Sequence, residues 1–96
     1  MPKGYILSAY REIHDPEKLA AYGVLAGPAV EAAGGRFLAR GGSVTAYEHG
    51  LDQRTVVIEF ESYDAALQLY ESKMYKEALA VLGDAVTRDF RVVEGV

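Results

Sequence analysis

Two glycine pairs, Gly34-Gly35 and Gly41-Gly42, bracket the five-residue stretch Arg36-Phe37-Leu38-Ala39-Arg40. A glycine pair at a helix end lets the backbone enter left-handed φ/ψ space and stop the helix. A second pair so soon afterwards permits a tight bend or a bulge in the strand. The stretch therefore reads as helix end, short strand and bend, and it fixes the punctuation of the whole chain.

The flanking segments follow from periodicity. Tyr5 to Ile13 alternates as a strand, with Tyr5, Leu7, Ala9 and Ile13 on one face and Ile6, Ser8, Tyr10 and Glu12 on the other. Apolar groups on both faces predict that both are covered. Asp15-Pro16-Glu17 is a helix start: Asp15 caps, Pro16 suits the first helical position and Glu17 favours the positive end of the dipole. Leu19, Tyr22, Ala26, Val30 and Ala33 then share one helical face. Pro28 is expected to kink this helix or split it near Ala26-Gly27. The second strand is read as Arg36 to Arg40, resuming after the bend from Ser43 to Glu48. A polar loop to Gln53 leads to a third strand, Arg54 to Glu61, with Val56, Ile58 and Phe60 facing one way and Val57, Glu59 and Glu61 the other. Ser62 caps a helix over Tyr63 to Glu71, Ser72 to Tyr75 forms a break, and a short helix runs to Leu82. Arg88 to Glu94 is the last strand.

The order β-α-β-β-α-β is the ferredoxin-like, split βαβ arrangement. It predicts an α+β protomer forming one domain over residues 1–96, with an antiparallel four-stranded sheet and helices on one face. The other face still carries Val57 and Val93, so a second copy is expected to cover it, joining two sheets into a dimeric α+β barrel.

Charge and residue usage exclude several classes. The net charge is −4 and no basic run exists, which argues against nucleic acid and against anionic membrane surfaces. Without cysteine there is no disulfide, thiol nucleophile or thiolate metal site. No leader-like segment and no span-length apolar run is present, so a soluble cytoplasmic protein is expected. His14, His49 and Asp52 lack a ligand spacing, and neither a metal nor a cofactor is expected. The glycine pairs match no phosphate-binding pattern, and no serine sits in a nucleophile elbow.

Three groups remain as candidate chemistry. Arg40 and Glu59 lie on strands expected to be neighbours; they read as a carboxylate-binding group and a base, or as an ion pair at a sheet edge or dimer seam. His14 beside Asp15 is a candidate acid–base group at the strand-to-helix corner, or an exposed histidine next to a cap. Tyr10, Tyr22, Tyr70 and Tyr75 are candidates to line a pocket for a flat organic ligand, or to fill the core with their hydroxyls at the surface.

As a set, Asp15-Pro16, Gly34-Gly35-Arg36-Phe37, Arg40-Gly41-Gly42, Glu59-Phe60, Ser62, Ala65-Ala66, Tyr70, Ser72, Tyr75 and Val93-Glu94-Gly95 resemble the DUF1330 family. The resemblance implies a dimeric α+β barrel with a ferredoxin-like protomer. It also implies kinship with a superfamily that includes cofactor-free monooxygenases, isomerases and decomposing enzymes. The chain departs from the family pattern at Leu69 (often tryptophan), at Glu61 and Lys73 (often proline) and at Leu82 (often arginine). The expected function is a cofactor-independent enzyme acting on a small organic molecule in a helix–sheet cleft. The alternatives are a non-catalytic small-molecule-binding dimer or an interaction module.

Overall fold

The computed structural model describes residues 2–96. Its elements are β1 (Gly4–Ile13), α1 (Pro16–Ala32), β2 (Arg36–Arg40), β3 (Thr55–Phe60), α2 (Tyr63–Glu71), α3 (Lys73–Leu82) and β4 (Val86–Glu94). The strands form one antiparallel sheet in the order β2-β3-β1-β4, and the helices lie against one face of it. This is the ferredoxin-like protomer, with the second helical region divided into two.

Local sequence sets each boundary. Asp15 Oδ1 accepts from the Lys18 amide at 3.1 Å, capping α1 with Pro16 at its first position. Gly34, at φ +80°, ends α1: its amide bonds the Glu31 carbonyl at 2.9 Å and the Gly35 amide bonds Val30 at 2.8 Å, the paired bonds of a Schellman cap. Pro28 does not split α1. It sits on the exposed side of the helix, where the one missing donor costs least. Ser72 divides α2 from α3 and serves both: its hydroxyl donates to the Leu69 carbonyl at 2.7 Å and accepts from the Tyr75 amide at 3.2 Å. That cap fixes the first turn of α3 and so aims Tyr75 at the sheet.

The expected continuation of the second strand over Ser43 to Glu48 does not form, and residues 41–54 carry no regular structure. The reason is topological. β2 pairs along β3, and Arg40 already lies opposite Val56, one residue from the start of β3 at Thr55, so a continuation beyond the bend has no stretch of β3 left to pair with.

The core lies between sheet and helices. Its fully buried centre is Phe60, Ile6, Leu69 and Val30. The sheet's helix-facing side forms three rows across the strands. Phe37, Ile58, Ile6 and Val92 make an apolar row; Arg40, Val56, Ser8 and Phe90 make the next; Arg54, Tyr10 and Arg88 make the last. The opposite face carries Tyr5, Leu7, Val57 and Val93, with Leu7 and Val93 36% and 44% exposed. Among the described residues no helix is long and apolar enough to cross a membrane.

Candidate functional site

The gradient from apolar row to arginine row opens into a cleft between the sheet and α1, with a volume of about 290 Å3. Leu19, Ala26, Val30, Phe37, Val56 and Ile58 give it apolar walls. Ser8, Tyr10, Tyr22, Tyr75 and the three arginines Arg40, Arg54 and Arg88 supply its polar groups. The volume is that of roughly ten waters, so the site suits a small ligand.

Arg88 is the centre of the polar floor. Its Nη1 donates to the hydroxyls of Tyr22 (3.2 Å), Tyr10 (3.3 Å) and Ser8 (3.5 Å), and its Nη2 to that of Tyr75 (3.3 Å). Tyr22 and Tyr75 also share a short hydrogen bond. Burial works against the Arg88 charge, but the oxygens of Tyr22 and Tyr75 outweigh it and hold the guanidinium above its ordinary pKa. Burial chiefly, and then the neighbouring Tyr22, push the Tyr75 phenol well above its usual 10.0 against the opposing pull of Arg88.

The floor is rich in donors. All four hydroxyl oxygens already accept from Arg88. Tyr22 and Tyr75 use one proton between them, leaving the other, and those of Tyr10 and Ser8, without a protein acceptor among the described residues.

The arginines divide into two sets. Arg11, Arg36 and Arg91 lie outside the cleft, and each has a carboxylate within 4.0 Å. Arg40, Arg54 and Arg88, inside it, pair with none among the described residues. Arg40 stacks on Phe37, 4.2 Å from the ring centre, and reaches the Gly23 carbonyl of α1 at 3.4 Å. Arg54 packs against Gly41, whose φ of +76° and lack of a side chain leave the space its guanidinium fills; its buried Nε has no acceptor. Among the described residues no carboxylate or imidazole lines the cleft.

Four of the residues expected at a site meet here: Arg40, Tyr10, Tyr22 and Tyr75. Three do not. Glu59 points to the opposite sheet face, where it pairs with Arg36 at 3.1 Å and accepts from the Tyr5 hydroxyl at 3.4 Å. Its neighbour across the ladder is Arg36, not Arg40. His14 lies exposed at the end of β1, 2.9 Å from the Thr87 hydroxyl. Tyr70 is part-exposed on α2, packed on Phe90 and on the outside of Tyr75. His49 and Asp52 sit in the irregular 41–54 segment, and no group of three or more His, Cys, Asp or Glu converges among the described residues.

Arg88, Arg54 and Ser8 belong to the site although the sequence reading did not single them out. Arg88 carried a usable signal: in Val86-Thr87-Arg88-Asp89-Phe90-Arg91-Val92 it is in phase with three apolar residues. Arg40 faces the cleft for a reason no alternation reveals. β2 bulges between Phe37 and Ala39, so Phe37 and Arg40, three apart, point to the same side.

Raising the pH tests the phenol cluster. The folded-state pKa of Tyr75 lies above its unfolded value, so its contribution is complete below about pH 10 and is lost as the pH climbs beyond it. Denaturant titrations above pH 10 are expected to show a steeper loss of stability in the native protein than in Tyr75→Phe. Parallel curves would mean that Tyr75 is not held protonated by the fold.

A ferredoxin-like protomer with an arginine- and tyrosine-floored cleft between helix and sheet is the class that this fold and site define. The chain belongs to the DUF1330 family (domain of unknown function), whose model matches residues 3–96. No curated protein matches it. Among solved structures, it is similar to RPA0582, a protein of unknown function from Rhodopseudomonas palustris, at 20% identity and TM-score 0.78 over 99% of this chain and 83% of that one. It is also similar to SnoaB, a cofactor-independent oxygenase from Streptomyces nogalater, at 11% identity and TM-score 0.62 over 97% and 92% of the two chains. A dimeric ferredoxin-like protein of unknown function from Thermobifida fusca matches at 12% identity and TM-score 0.53 over 99% and 92%. At these identities the likeness establishes the fold.

Proposed function

We propose that this protein is a homodimer that binds a small organic anion with an apolar body in the helix–sheet cleft. One observation carries the reading: in a chain of net charge −4, the only arginines without a carboxylate partner among the described residues are the three that line the cleft. Arg54 and Arg88 are part-buried and Arg40 is exposed, and an anion in the cleft supplies the charged partner that the protein does not give them. The rows orient it, with its anionic group on the arginine row and its body against Ile58, Val56 and Val30.

Calorimetry and thermal unfolding with benzoate and hexanoate, each against its neutral amide, test this. The anions are expected to bind and raise the midpoint, and the amides to do neither. Absence of anion binding, or equal binding of the amides, would overturn the reading.

The dimer rests on the open sheet face. Val57, Leu7 and Ala39 form its apolar centre, with charge pairs Arg36–Glu59 on one side and Asp89–Arg91 on the other. A two-fold interface brings such a face against itself, and the Thermobifida fusca protein described as dimeric shares the fold. Val57→Glu, which adds charge at that centre, is expected to convert the dimer to monomer in light-scattering chromatography. An unchanged dimer would place the interface elsewhere.

A second reading, a cofactor-independent enzyme, draws on the donor-rich floor, since unpaired donors stabilise an oxyanion as it develops. It ranks behind binding because Glu59 and His14, the expected base and acid–base groups, lie outside the cleft. Conversion of any phenolic or enolic acid by the native protein, lost in Arg88→Met, would reverse that order.

A further inference from the structure

We infer that the cleft takes a dianion, a dicarboxylate whose two anionic ends are separated by an apolar body. This rests on the reading of the cleft as an anion site and names the class of ligand. The three unpaired guanidiniums do not gather at one point. Arg88 stands on β4 and Arg40 on β2, the two outer strands of the sheet. Three strand spacings separate those strands, roughly 14 Å. The side chains lean inward to a shared cavity but end on different supports. The Arg88 guanidinium is held by the hydroxyls of Tyr22 and Tyr75, and that of Arg40 lies against Phe37 and the Gly23 carbonyl. Arg54 shares the row of Tyr10 and Arg88, but its guanidinium reaches toward the Arg40 pole, packing on Gly41, the residue next to Arg40.

Each pole has groups left without a partner. The hydroxyl protons of Tyr10 and Ser8 and one of the Tyr22–Tyr75 pair have no protein acceptor, and at the other pole the Arg40 and Arg54 guanidiniums have no carboxylate among the described residues. A monoanion occupies one pole and leaves the other without an anionic partner. A carboxamide in place of either carboxylate brings its own N–H donors to a surface that has donors already. Val56, which follows Arg40 in its row across the sheet, offers apolar contact to the connecting body.

The test is selectivity within two ligand series at fixed ionic strength: isophthalate against its half-amide 3-carbamoylbenzoate and benzoate, and adipate against hexanoate. In at least one series the dianion is expected to bind the native protein at least tenfold more tightly than its singly charged relatives. In the double variant Arg40→Gln/Arg54→Gln, checked for folding by circular dichroism, that ratio is expected to fall below threefold. Equal affinities in both series, with the monoanions still binding, would overturn the dianion and leave the anion site standing. No binding by any carboxylate would overturn both. Inorganic phosphate binding more tightly than every dicarboxylate would overturn the inference in favour of a phosphate-bearing ligand. A dianion preference that survives intact in the folded double variant would overturn the two-pole assignment.

Discussion

Arg88→Met is expected to lower the affinity for benzoate or hexanoate about a hundredfold while moving the unliganded melting midpoint by only a few degrees. The two effects separate because Arg88 holds a charge in a place where the protein supplies no counter-charge. Losing a buried, hydrogen-bonded charge opposite a ligand anion costs about 3 kcal/mol. In the unliganded protein the same substitution relieves the burial of a guanidinium, which offsets part of what the bonds to Ser8, Tyr10, Tyr22 and Tyr75, all 3.2–3.5 Å long, contributed. Methionine is unbranched and flexible enough to follow the path of the arginine stem. Calorimetry beside a thermal melt reads both quantities. Retention of anion affinity within threefold would remove Arg88 from the site; a collapse of the unliganded midpoint would make it a structural residue first.

Gly4→Ala is expected to be the most destabilising small substitution in the chain. Gly4 lies buried at the start of β1, opposite Phe60 of β3 and Glu94 of β4. A Cβ built there falls 2.3 Å from the Ser62 carbonyl oxygen and 2.7 Å from the Tyr63 Cα, which are backbone atoms of the β3–α2 junction. A flexible side chain could swing away, but the N-terminus of α2 must move as a unit. Ser62 is also the cap of that helix, its hydroxyl accepting from the Ala65 amide at 3.1 Å, so the shift strains the cap as well. Overpacking of this kind costs about 3 kcal/mol, and for a domain of this size the melting midpoint is expected to drop by roughly 12–24 °C. A drop of less than about 5 °C would show that the junction yields. Gly42, which has open space around it, is the control: Gly42→Ala should leave the midpoint nearly unchanged.

What the sequence alone determined is everything carried by interactions within a few residues. Asp15, Ser62, Ser72 and the Gly34-Gly35 pair mark helix ends because each satisfies backbone groups three to five residues away. The alternation in β1 and β3 named the two faces of the sheet, and the resulting order led to the ferredoxin-like protomer. The tertiary structure alone decided which charges share a space. Glu59 and Arg40 stand on adjacent strands, but side-chain direction depends on register, and the bulge in β2 turned Arg40 into the cleft while the pairing set Glu59 against Arg36 on the far side. Ser43 to Glu48 had the composition of a strand, but the β2–β3 ladder runs out where β3 begins at Thr55, one residue before the partner of Arg40. The arginine-centred floor joins Ser8 and Tyr10 to Tyr22, Tyr75 and Arg88 across as many as 80 residues of sequence. No local pattern encodes such a meeting, because it follows from antiparallel register across β1 and β4 and from the packing of α1 against α3.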